Sequence, residues 1–187
     1  MKHKIEEEFN ISANKILDAI LYSADIIKRG LKGIIAEQIF YETFLAELPS
    51  PWLVVEKDAK AGDFVIQNSK TKKIIRIQIK MQRRAKGEPL LSDTIAKLRK
   101  LFNNCWVVEV QKTRSGTDSE GKPTRRYKDS DFDILAVSLY ASSGDWTMFR
   151  FIETKDLLSK EGVLEIYQAV PKSENEIWSN DLIRFLK

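Results

Sequence analysis

The stretch Gly62-Asp63-Phe64-Val65-Ile66-Gln67, the turn-like Asn68-Ser69-Lys70-Thr71, and then Ile74-Ile75-Arg76-Ile77-Gln78-Ile79-Lys80 read as a β-hairpin. Successive side chains of a strand point to opposite sides, so Arg76, Gln78 and Lys80 share one face while Ile75, Ile77 and Ile79 share the other. An acid where the hairpin starts and a polar-x-lysine where it ends bring a carboxylate, an amide and an ammonium to one side of a sheet.

That trio offers a divalent cation an anionic ligand and sets a fixed positive charge beside it, the minimum needed to hydrolyse a phosphodiester. The spacing, Asp63 and then Gln78-Ile79-Lys80, resembles the PD-(D/E)XK nuclease superfamily, and within it the type II restriction endonucleases. In that family an Asp at the start of one strand and an acid-x-Lys on its neighbour hold magnesium and the attacking water. The resemblance implies a restriction-endonuclease-like α/β fold, a mixed sheet flanked by helices, over about residues 30 to 152. It also implies Asp63 as a metal ligand, Gln78 as a second ligand offering a neutral carbonyl oxygen, and Lys80 as the residue that polarises water or stabilises developing charge. Mg2+ is the implied cofactor, with Mn2+ able to substitute. Two positions depart from the pattern: Ala61-Gly62 stands before the Asp in place of Pro, and Gln78 stands where Glu or Asp belongs. Asp after Gly is also ordinary turn chemistry, and Lys at a strand end also protects an exposed edge.

The 187 residues suffice for one well-buried domain, taken as 1–187, with N-terminal helices over 1–48, a catalytic core over 52–152 and a basic loop over 112–128. No apolar run approaches the roughly eighteen residues that span a bilayer. Residues 6–8 are acidic where a signal peptide would carry its apolar core, so a soluble, cytoplasmic protein is expected. Cys105 is the only cysteine and His3 the only histidine, which excludes disulfides within the chain, zinc clusters, a Ser-His-Asp triad and histidine general bases. Any metal must be held by oxygen, which points to magnesium or manganese.

Charge is unevenly distributed. Residues 1–60 carry 8 basic and 10 acidic side chains, residues 61–128 carry 17 and 6, and residues 129–187 carry 6 and 11. Between Asp63 and Glu88 there is no acid, while Arg76, Arg83, Arg84 and Lys86 fall there, the last three directly after Lys80. Such a field attracts a polyanion, double-stranded DNA being the expected partner. A hairpin merely solubilised by lysine is the alternative.

Along the chain, residues 11–48 read as two helices or one helix kinked near Gly30, ended by Pro49-Ser50-Pro51. Strands are expected at 52–56, 63–67, 74–80, 105–111, 132–140 and 146–151, a helix at 91–102 with Ser92 as N-cap, and a short helix near 154–158. The segment 112–128 reads as a long connection with six basic and two acidic residues, in which Arg114, Lys122, Arg125 and Arg126 are candidates to grip or read DNA. The tryptophans read as core.

Glu37 lies within an apolar stripe, with Ile34 before it and Phe40 and Tyr41 after it, so its carboxylate needs a partner. Gly33-x-x-x-Glu37 resembles the leading helix of many superfamily members, which implies Glu37 as a further metal ligand; a bond to a neighbouring Arg or Lys is the alternative. Asp133, opening an apolar strand, reads first as structural. The sequence therefore points to a magnesium-dependent DNA endonuclease, as a homodimer matching a two-fold DNA site. A structure-selective or repair nuclease, a silent nucleic-acid-binding module and an interaction protein without nucleic acid stand beside it.

Overall fold

The computed structural model describes residues 3–55, 63–117, 121 and 123–187, without the side chains of 113–117 and 123. The chain divides into two compact units, residues 1–35 and 36–187.

The first unit is helical: α1 Lys4–Phe9, α2 Ala13–Leu21 and the greater part of α3 Asp25–Phe40. One of the acids near the N-terminus, Glu6, takes part in the cap of α1. The His3 ring accepts from the Ile5 N–H, while Glu6 accepts from the His3 N–H and lies within a capping box that satisfies donors the helix itself leaves unpaired. The expected kink at Gly30 is absent, since α3 runs through it; the break falls at Tyr22–Ser23, where the Ser23 hydroxyl donates to the Ile20 carbonyl. At that break the serine hydroxyl competes for a backbone carbonyl, as serine side chains do near helix ends.

The second unit opens with the last turn of α3 and a π-helical turn, Tyr41–Leu45, and the expected stop at Pro49 follows it. Three strands succeed: β1 Trp52–Val55, β2 Phe64–Asn68 and β3 Ile74–Met81. Next comes a small hairpin, β4 Arg84–Ala85 and β5 Glu88–Pro89, whose two turn residues Lys86 and Gly87 have φ of 51° and 87°. Both turn positions need left-handed backbone, which glycine takes without strain.

The helix expected at 91–102 shrinks to a 3-10 turn, Ser92–Thr94, and α4 Ala96–Arg99. Ser92 is fully buried and caps nothing; its hydroxyl accepts from the Cys105 N–H at 3.1 Å. The expected strand at 105–111 divides into β6 Trp106–Glu109 and β7 Gln111–Thr117. Within the segment expected as a connection, β7 pairs antiparallel with β8 Pro123–Arg126, with a register shift between Gln111 and Gly116; residues 118–120 and 122 lie outside the described residues. The order ends with β9 Ile134–Ser138, α5 Tyr140–Ser143, β10 Phe149–Glu153, a 3-10 turn at Thr154–Asp156, β11 Ser159–Lys160, β12 Val163–Leu164, β13 Tyr167–Val170 and a 3-10 turn at Leu182–Phe185.

The architecture is a mixed five-stranded sheet in the order β1-β2-β3-β9-β10, antiparallel throughout except for the parallel pair β3 and β9. Alternation along the central strands feeds two cores. Ile75, Ile77 and Ile79 of β3 and Ile134 and Ala136 of β9 join Phe40, Trp52, Phe149 and Phe151 in one. Leu135 and Val137 join Val108, Phe132, Leu164 and Trp178 in the other. The C-terminus closes the first core, with Leu182 and Leu186 buried and the Trp52 indole donating to the Leu186 carbonyl at 3.1 Å.

Phe40 is fully buried, with its ring centroid 5.3 Å from both Phe44 and Phe149. Phe40→Ala is expected to destabilise the protein by about 3–5 kcal/mol, as buried phenylalanine truncations do, measured by chemical denaturation.

Candidate active site

The register of β2 against β3 pairs Phe64 with Ile77 and Val65 with Arg76, so the next step outward sets Asp63 opposite Gln78. The parallel pairing of β3 with β9 sets Gln78 beside Leu135 and Lys80 beside Val137. Because the isoleucines of β3 take the first core, Gln78 and Lys80 face the other side of the sheet.

Asp63 Oδ2 accepts from the Ile79 N–H at 2.7 Å and from Gln78 Nε2. Gln78 is 3% exposed, and its Oε1 accepts from the Tyr127 hydroxyl at 3.1 Å. Both ends of the amide are therefore satisfied, as burial requires.

The half-buried Lys80 ammonium lies 5.4 Å from the Tyr127 ring centroid, as does that of Lys112, and Lys112 also pairs with Asp131 at 2.9 Å. Burial pulls the Lys80 ammonium below the usual lysine range; the charges of Asp63 and Glu37 oppose that shift and the charge of Arg125 reinforces it. Glu37 thus acts on Lys80 from the end of α3, half-buried between the buried residues Ala36 and Phe40. Burial, followed by the charges of Asp63 and Asp131, holds the Tyr127 hydroxyl protonated well above the ordinary tyrosine range. Asp63 and Gln78 are thus in direct contact, with Lys80 next to them and Glu37 and Arg125 within reach of its charge.

The remaining basic residues divide. Arg76, expected on the DNA face, is held by Asp133: its backbone N–H, Nε and a terminal nitrogen donate to that carboxylate at 2.7, 3.0 and 3.0 Å, and its other terminal nitrogen donates to the Ser130 carbonyl. Arg83 pairs with Glu109 at 3.1 Å, and Arg126 pairs with Glu165 at 3.3 Å and donates to the Leu164 carbonyl. Arg84 and Lys86 are exposed on the β4–β5 hairpin. Arg125 is exposed, with its Nε donating to the Lys112 carbonyl. Lys122 and the side chain of Arg114 lie outside the described residues.

Among the described residues, no three His, Cys, Asp or Glu side chains come together as a metal cluster. Two carboxylates, Asp63 and Glu37, act on Lys80 by their charge, and the Gln78 carbonyl oxygen, turned to Tyr127, is the third oxygen of the set. Magnesium is commonly held by one or two carboxylates together with waters and substrate phosphates, so this set fits it in chemistry. Reading the sequence did not single out Tyr127, because it follows a run of basic residues in what looked like a connection.

No protein-family model matches the chain, and no curated protein matches it. Among solved structures the chain is similar to a bacterial homing endonuclease, at 17% identity and a TM-score of 0.44, over 79% of this chain and 80% of that one.

Asp133 accepts three hydrogen bonds from one residue of the central strand. Asp133→Ala removes these bonds from a partly exposed arginine that water can reach, and a loss of about 1 kcal/mol is expected in a denaturant titration.

Proposed function

We propose that the protein is a magnesium-dependent DNA endonuclease that hydrolyses phosphodiester bonds, acting as a homodimer in the manner of type II restriction enzymes. The observation that carries this reading is the contact of Asp63 with Gln78, with the half-buried Lys80 beside them. Asp63, Glu37 and Gln78 would hold the cation, and a bound magnesium ion supplies Lewis-acid polarisation of the scissile phosphate.

The chain's own residues supply the rest. Lys80, held in a partly desolvated position, is placed to orient water and to stabilise negative charge that builds on the phosphoryl oxygens. The Ile79 N–H and the Gln78 amide fix the Asp63 carboxylate in one orientation before substrate arrives. Arg84, Lys86 and Arg125 are exposed and are the residues to meet DNA phosphates. One chain carries one such site, whereas cutting both strands of a duplex takes two, and a two-fold dimer supplies the second.

The orientation of the Gln78 amide favours a second reading. With its NH2 group turned to Asp63, the carboxylate is compensated without a cation, as in a silent DNA-binding module. Such a module would bind DNA equally with and without magnesium.

Plasmid digestion in magnesium separates the two. Asp63→Ala and Lys80→Ala are each expected to lower cleavage by about a hundredfold or more while DNA is still bound. Unchanged cutting by Asp63→Ala overturns the assignment, and sequencing the cut ends distinguishes a fixed site from random nicking. For the phosphate contacts, the double substitution Arg84→Ala with Lys86→Ala is expected to weaken binding to all DNA sequences alike. In an anisotropy titration it should reduce the salt slope by about two.

A further inference from the structure

Gln78 can serve a cation only through its carbonyl oxygen, since its NH2 group is solely a donor. In the structure that oxygen faces Tyr127 and the NH2 faces Asp63. At 3% exposure the amide depends on protein partners: besides Asp63, its NH2 group has the Ile79 carbonyl at 3.4 Å, and an NH2 group turned away from both meets the Tyr127 hydroxyl.

A tyrosine hydroxyl is suited to this, because it donates to an oxygen in one orientation and accepts from an NH2 group in the other. The ring that carries it is fixed on several sides. Phe132 packs edge-on at a centroid separation of 5.3 Å, and the ammonium groups of Lys80 and Lys112 each lie 5.4 Å from the ring centre. Tyr127 directly follows β8, so the residue that meets the Gln78 amide is tied to the hairpin that carries Arg125.

We infer that Tyr127 is a positioning residue whose hydroxyl receives either end of the Gln78 amide, and so allows Gln78 to turn its carbonyl oxygen toward a divalent cation beside Asp63. This rests on the metal-site reading above and names the residue that regulates it. Phenylalanine at this position keeps the ring and its packing but cannot receive an NH2 group, which leaves the turned amide with a buried, unpaired donor.

The test is Mn2+ binding followed by the electron paramagnetic resonance signal of the free ion. Four proteins are compared: the natural chain, Tyr127→Phe, Gln78→Glu and the double variant, each checked by circular dichroism and thermal melting. With Gln78 present, Tyr127→Phe is expected to weaken Mn2+ binding about tenfold. With Gln78→Glu, whose carboxylate presents oxygen at both ends, the same change is expected to alter binding less than about twofold.

Equal weakening in both backgrounds would mean that Tyr127 only supports the structure, and no weakening in either would mean that it does not act on the amide; both outcomes overturn the inference. An added Asp63→Ala control separates it from the underlying reading. If the natural chain binds Mn2+ and Asp63→Ala does not, a flat response to Tyr127→Phe removes the role of Tyr127 alone. If the natural chain binds no Mn2+, the metal site and this inference fall together.

Discussion

A glutamine amide buried to 3% exposure in the central strand has to find both of its partners in the protein. Leaving either end unpaired costs about 1–3 kcal/mol, a sizeable part of a domain's net stability. Asp63 receives one end and Tyr127 the other, so the residue before β2, the middle of β3 and the residue after β8 are drawn to one point. The same carboxylate also receives the Ile79 N–H, which ties the start of β2 to the backbone of β3 just beyond their last ladder pair. Folding and site assembly are in this respect a single event.

The charge distribution has to be read through its pairings. Counting gives the middle of the chain a large positive excess, yet Arg76, Arg83, Lys97, Lys112 and Arg126 are each engaged by an acid, and three of the four acids involved, Asp131, Asp133 and Glu165, lie in the acidic C-terminal third. The negative third thus binds back onto the positive one. Of the arginines and lysine that follow Lys80, Arg84 and Lys86 stay exposed, as does Arg125. Arg125 lies close enough to Lys80 to lower the affinity of that ammonium for its proton.

The parts of the fold legible in the sequence are those with strict period-two alternation. In β3 the isoleucines at 75, 77 and 79 leave one solution for which face enters the core, and the turn at Asn68 then brings Asp63 to Gln78. Where one face is not apolar, that logic has nothing to hold. Gln111–Thr117 and Pro123–Arg126 pair with a register shift and carry no apolar alternation, so their strand character does not show in the pattern. Ser92 looked like a cap by residue type, but its hydroxyl is spent on the Cys105 N–H in a buried position, a partner 13 residues away that no local reading supplies. Tyr127 was missed for the same reason, since its role comes from Gln78, 49 residues earlier.

Glutamine at position 78, in contact with Asp63, becomes intelligible from the local balance of charge. Glutamate there would set two carboxylates in contact at a site with almost no water, and like charges that close drive one of them to take up a proton unless a cation is bound. Glutamine instead donates to Asp63, leaving the negative charges of Asp63 and Glu37 to face the positive charges of Lys80 and Arg125. An acid at this position would make the stability of the cluster depend on a further positive charge, whereas the amide donates to Asp63 and needs none.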